Sequence, residues 1–233
     1  MNKLRVDVWS DIACPWCYIG KRRLERALAA FSNGNDVEVT WRAFELDPDA
    51  PKLRDPSVTQ AQRIAEKYGM PVDVAEERLR DMTQTAKEDG LDFRFDAIRG
   101  GNTFDGHRLI HFATERGLGG AMKERILRAY MTEGQAVSDH DVLVTLATEV
   151  GLDGKDVRAM LTSDACADAV RADEREAQAL GIRGVPFFVV DGRYGVSGAQ
   201  PAEKLLEVLN KAWSELPEGE VAEGAVCGPD GCA

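Results

Sequence analysis

No stretch of this 233-residue chain approaches the ~18–20 consecutive apolar residues of a membrane-spanning helix. A membrane partner is therefore not expected. The chain also lacks a basic run. Its 29 Lys and Arg stand against 40 Asp and Glu, a net charge of −11, so nucleic acid is not an expected partner either. The opening residues Met1 to Val8 alternate and lack the apolar segment of a secretion signal. The cytoplasm is the expected compartment, where permanent disulfides are rare and close cysteine pairs are more often catalytic or metal-binding. There is no internal repeat. Gly192, Gly195 and Gly198 form no phosphate loop, because no helix follows at the right spacing. His107 and His111 are four apart, a spacing that can bind metal, but Arg108 stands where a zinc protease needs its Glu.

What is present begins with an apolar fraction of 44%, which suffices for a core without staples. Leu4, Val6 and Val8 alternate with polar neighbours and predict a first strand. Leu24, Leu28 and Phe31 recur at helical spacing, so a helix is expected from Pro15 to Phe31, ended by Asn33-Gly34-Asn35. Val37, Val39 and Trp41 predict a second strand, parallel to the first through a right-handed crossover. From Ser57 to Gln178 the pattern is helical, broken by Gly100-Gly101 and by Gly117 to Gly120. Asn102-Thr103 and Ser138-Asp139 supply N-cap chemistry. Val185 to Val190 is strand-rich, Asp191-Gly192 signals a hairpin, and a last helix carries Leu205, Leu206, Leu209 and Trp213. The expected layout is an α/β fold made of residues 1–50 and 180–216. An all-helical insertion covers 51–179, and a flexible acidic tail covers 217–233.

Five cysteines are present: Cys14, Cys17, Cys166, Cys227 and Cys232. Cys14 falls just after the first strand, at the start of the first helix, where unpaired N–H groups and the helix dipole favour a thiolate. Pro15 suits the first turn because its missing N–H is not needed there. Cys17, one turn on, is placed to close a small disulfide. The expected roles are attack by Cys14 and resolution by Cys17. A C-x-x-C beside a strand–helix–strand pattern is a thioredoxin-like signal, although half of a zinc site remains the competing reading.

The stretch "SDIACPWCYIGKRRLE" and the late Gly184-Val185-Pro186 resemble the DsbA family of thioredoxin-fold thiol-disulfide oxidoreductases. With "NTFDGHRL" the likeness extends to its FrnE-like branch. The resemblance implies that Pro186 is a cis proline facing the cysteine pair and that Val185 presents its backbone to a client strand. It implies that Asp7 matches the buried acid of thioredoxins, and that His107 and Arg108 contact substrate. Trp16 stands where the better-known periplasmic oxidants carry His, which implies a less oxidising couple. Protein thiols and disulfides are the implied clients, glutathione or a thioredoxin-type reductant the candidate electron partner. No cofactor or metal is expected. Glutathione-dependent isomerases and transferases of related fold are the alternative class; they typically carry Ser at the position of Cys14. A zinc-binding or chaperone module using four cysteines is the other.

Cys166, flanked by Asp164 and Asp168, is expected to be inert. In the tail, Gly228-Pro229-Asp230-Gly231 is a type I turn signal that would bring Cys227 and Cys232 together as a second redox pair, with half of a metal site and a disordered end carrying incidental thiols as the competing readings.

Overall fold

The structure, a computed structural model, describes residues 3–216. The tail 217–233, with Cys227 and Cys232, lies outside the described residues. The first strand β1 (Leu4–Ser10) buries Leu4, Val6 and Val8 on one face and Trp9 on the other. It leads into α1 (Pro15–Ala30), which ends where the Phe31 N–H bonds back to the Leu28 carbonyl. After a 3-10 turn at Gly34–Asp36 comes β2 (Val37–Ala43), parallel to β1 with Leu4 opposite Val37 and Ser10 opposite Ala43. The parallel pair expected from the sequence is therefore present.

Seven helices follow: α2 (Gln60–Tyr68), α3 (Val72–Glu88), α4 (Phe104–Thr114), α5 (Gly119–Met131), α6 (His140–Glu149), α7 (Gly154–Leu161) and α8 (Ala167–Ala179). Their ends follow local chemistry. Thr59 and Gln62 make a reciprocal capping box at α2, and Gly69 closes that helix at φ 63°, a conformation open to glycine. Asp139 caps α6, as expected, by accepting from the N–H groups of Asp141 and Val142. At α4 the expectation holds only in part. Asn102 Oδ1 accepts the Phe104 N–H at 2.8 Å, but the Thr103 hydroxyl turns to Asp11 instead.

The chain returns as β3 (Phe187–Val190), antiparallel to β1, then β4 (Tyr194–Ser197) and α9 (Ala202–Ser214). Strand order is β2-β1-β3-β4. The strand begins at Phe187 rather than Val185 because Pro186 has no N–H to give the ladder. Its carbonyl accepts the Gly198 N–H at 2.9 Å.

One contiguous core runs from Leu4, Val6 and Val8 of β1 through Ile12 and Leu109 to Ile126, Leu127 and Leu146 of the helical block. Each such side chain contributes about 1.5–3 kcal/mol on full burial, so the sheet and the inserted helices stabilise each other. Two glycines permit the close approaches that hold the site. A Cβ at Gly20 of α1 would lie 2.9 Å from Pro186 Cγ, and one at Gly106 of α4 would lie 2.6 Å from Ile12 Cδ1.

Candidate active site

Cys14 is the N-cap residue of α1 and Pro15 the first residue of that helix. The first turn contains no acidic residue, so no carboxylate opposes a thiolate there. Both sulfurs are free thiols. Cys14 is 5% exposed and Cys17 1%, while Trp16 between them is 41% exposed and faces solvent. The Cys17 N–H donates to the Cys14 carbonyl at 3.0 Å. Burial pushes the Cys17 thiol up, and its hydrogen bond to Cys14 pushes it further. The pair is thus asymmetric: one sulfur at the helix mouth, one sealed beneath it.

Across from the pair lies the Val185-Pro186 loop, with a cis peptide bond. The Cys14 thiol donates to the Val185 carbonyl at 3.5 Å, an ordinary distance for a thiol donor. Two segments more than 170 residues apart in sequence are joined here, because β1 and β3 are neighbours in the sheet. A cavity of about 650 Å³ adjoins the site, lined by Ala13, Leu46, Arg54, Thr103 and Tyr130.

The acid beside the pair is not Asp7. Asp7 points to the other face of the sheet, where Arg42 Nε donates to its carboxylate at 2.8 Å, and Arg42 continues to the buried Asp173 at 3.1 Å. The period-2 alternation of β1 explains this, since Val6 and Val8 take the core face. The buried acid is Asp11, four residues on, which is 2% exposed. Its Oδ1 accepts from the Thr103 hydroxyl at 2.9 Å, from the Ala13 N–H at 3.3 Å and from His107 Nε2 at 3.3 Å. Its Oδ2 accepts the Leu46 N–H at 2.8 Å. Burial pushes the Asp11 carboxyl up, but these bonds together hold it below the usual range.

His107 and Arg108 are both buried. His107 is 2% exposed; burial pushes it down despite Asp11, so it is a neutral imidazole donating through Nε2. Arg108 is bound to the backbone carbonyls of Ala165 (3.0 Å), Met160 (2.8 Å) and Ser163, and to Asp105 at 2.7 Å. It ties α4 to the end of α7 and is sealed from solvent. His111 bonds Asp173 at 2.8 Å.

Reading the sequence missed Asp11 and Lys123. Lys123 of α5 is 1% exposed, and its Nζ donates to the Ser10 carbonyl at 3.4 Å. Burial pushes its ammonium down to about 8, against the pull of Cys17, Asp11 and Cys14. A signal existed. Lys123 opens the i, i+3, i+4, i+7 set completed by Ile126, Leu127 and Tyr130, so a charge sits on a buried stripe. Cys166 is raised as expected, but first by burial and then by Glu115 rather than by its flanking acids. Among the described residues no three His, Cys, Asp or Glu side chains converge as metal ligands.

A four-stranded sheet with a helix-capping dithiol opposite a cis-proline loop defines the thioredoxin-like fold. The chain belongs to the DSBA-like thioredoxin domain family, whose pattern matches residues 5–210. It is 31% identical over 215 residues to the uncharacterized protein YwbO of Bacillus subtilis, covering 87% of this chain and 96% of that one. A probable DsbA oxidoreductase from Streptomyces coelicolor is 46% identical with a TM-score of 0.86, over 99% of this chain and 98% of that one. The cytosolic disulfide reductase DsbM of Pseudomonas aeruginosa shares the fold at TM-score 0.61 and 21% identity, over 89% and 98% of the two chains. A second structure of that protein is described as containing GSH.

Proposed function

We propose that this protein is a cytoplasmic thiol-disulfide oxidoreductase or isomerase of the FrnE-like branch, acting on protein clients. The observation that carries the reading is the asymmetric dithiol: Cys14 at the α1 terminus against the Val185 carbonyl, Cys17 sealed below it. Cys14 attacks a client disulfide. One client sulfur leaves with the electron pair and a mixed disulfide remains. Cys17 then attacks Cys14 and releases the second client thiol. Pro15 starts the helix that favours the Cys14 thiolate, Trp16 offers an apolar face at the mouth, and Pro186 packs the client loop onto α1 at Gly20. The site favours dithiol chemistry over the glutathione-dependent isomerase class because both sulfurs are present. Glutathione or a thioredoxin-type reductant regenerates the pair.

The test is insulin reduction and scrambled-ribonuclease reactivation by the full chain and by Cys14→Ser. Loss of both activities in the variant is expected. Retention of either would overturn the assignment of Cys14. The tail pair Cys227 and Cys232 enters as a second relay, exchanging with Cys14 and Cys17. Removing residues 217–233 should then slow turnover with a large client while leaving the first attack by Cys14 unchanged. Unchanged turnover would exclude the relay.

A further inference from the structure

A lysine buried without a carboxylate partner is rare, because an ammonium is costly to desolvate and normally pairs or neutralises. Lys123 is such a residue among those described. Its three N–H donors meet one protein acceptor, the Ser10 carbonyl, at 3.4 Å. The hydroxyl of Ser10, also fully buried, has no partner. The ring of Trp41 lies 5.8 Å from Nζ. Apart from that cation–π contact nothing in this packing calls for a charge, and a methionine would fill the same stripe. The charged or titratable groups around Lys123 are Cys17, Cys14 and Lys21 from α1 and Asp11 from the loop before it, with Arg42 of β2 and His111 of α4 lining the same small cavity. His107 of α4 also faces it. Lys21 is itself held by Glu25 and by Glu124, the latter at 2.6 Å, and Asp11 is saturated by its four donors. Arg42 and His111 are held by Asp7 and Asp173, His107 donates to Asp11, and the Cys14 thiol donates to the Val185 carbonyl, which leaves Cys17 as the group that Lys123 can serve.

We propose that Lys123 is the counter-charge of the resolving step, delivered from the inserted helices to the Cys17 thiolate. The idea rests on the dithiol reading above and deepens it. With a client held as a mixed disulfide on Cys14, the Cys17 thiol gives its proton to water and the ammonium of Lys123 holds the thiolate. That thiolate attacks Cys14 Sγ. The Cys14–Cys17 bond forms as the Cys14–client bond breaks. The client sulfur leaves with the electron pair and takes a proton from water. Over both steps the cysteine pair loses two electrons and the client disulfide gains two. Asp11, fixed by Thr103 and His107, places a negative charge close enough to keep the ammonium in the cluster.

The experiment loads a fluorescent peptide onto Cys14 as a mixed disulfide and follows its release against pH, in wild type, Lys123→Met and Lys123→Arg. In Lys123→Met the midpoint of release should rise by about one pH unit. Neutral-pH release should slow about threefold, since a tenfold loss of thiolate is partly offset by its greater nucleophilicity. Lys123→Arg should restore much of the midpoint. An unshifted release profile in a folded Lys123→Met overturns the proposal but leaves the exchange reading intact. A chain that forms no mixed disulfide on Cys14 overturns both. If Lys123→Met does not fold, the wild type decides by carbon NMR of the Lys123 side chain. The midpoint should lie lower in the disulfide form, which has no thiolate to support the ammonium. Equal midpoints in the two redox forms would contradict the proposal.

Discussion

At Asp11 a single carboxylate gathers four donors from three segments of the chain: Ala13, Leu46, Thr103 and His107. Bonds to a buried charge are worth more than neutral ones, and removing the acceptor strands the donors. Asp11→Ala should therefore lose about 3–5 kcal/mol of stability, read from urea denaturation. The pH dependence has a definite sign. His107 is lowered in the folded state, so below 6.5 the unfolded chain binds more protons and stability falls as pH falls toward the folded midpoint. Asp11, also lowered, adds a loss of the same sign below its ordinary value of 3.8. His107→Asn should flatten the urea midpoint between pH 6.5 and 5; an unchanged slope there would assign it to other groups. Lys123 is a base lowered by burial like His107, and its slope has the same sign. Its value falls from 10.5 to about 8, so the unfolded chain binds more protons between these and the burden is complete below pH 8. Lys123→Met should be more stable at pH 7 by up to about 3 kcal/mol, the advantage shrinking as pH rises through 8. A residue that costs stability and sits beside the reacting sulfur is a mark of function rather than packing.

At the scale of elements, the contact of α1 with the Pro186 loop sets the site. Alanine is a better helix former than glycine by about 1 kcal/mol, so propensity alone would favour Gly20→Ala. The added Cβ would meet Pro186 Cγ at 2.9 Å and Phe188 Cζ at 3.3 Å. Overpacking of this kind costs about 1–3 kcal/mol, which outweighs the gain. Gly20→Ala should lower the melting temperature and slow exchange, because it moves the Val185 carbonyl relative to Cys14. An increase in melting temperature would show that the loop gives way freely. The elements themselves were legible in the sequence. α1, the parallel β1–β2 pair, the Asp191-Gly192 hairpin and α9 all follow from local period and turn chemistry. The site was legible where it is local, at Cys14, Pro15 and Cys17. It was not legible where it depends on which helix meets which loop. Thr103 reads as a cap but serves Asp11, and nothing local to Arg108 shows that it ties α4 to the end of α7. The placement of Asp7 rests on the resemblance to the buried acid of thioredoxins, whereas the alternation of β1 sets it opposite Val6 and Val8, on the face where Arg42 binds it.

For the molecule as a whole, the helical block packs against the segment that leads into the dithiol, through His107 on Asp11 and Lys123 on Ser10. α4 and α5 supply His107, Thr103's neighbouring turn and Lys123, and the core that supports them continues into β1. Glu124 of α5 binds Lys21 and Arg22 of α1, fastening the two layers across the outside. Sheet and helices should therefore unfold together. Tryptophan fluorescence and far-ultraviolet circular dichroism should give coincident urea transitions, whereas two separated transitions would show independent domains. The central claim is that Cys14 alone opens the reaction and Cys17 closes it. Cys17→Ser, incubated with an oxidised client protein and mapped by peptide mass, tests this most directly. The account predicts a stable mixed disulfide at Cys14 and none at Cys166. A client bound elsewhere, or no trapped client while exchange activity persists, would contradict it.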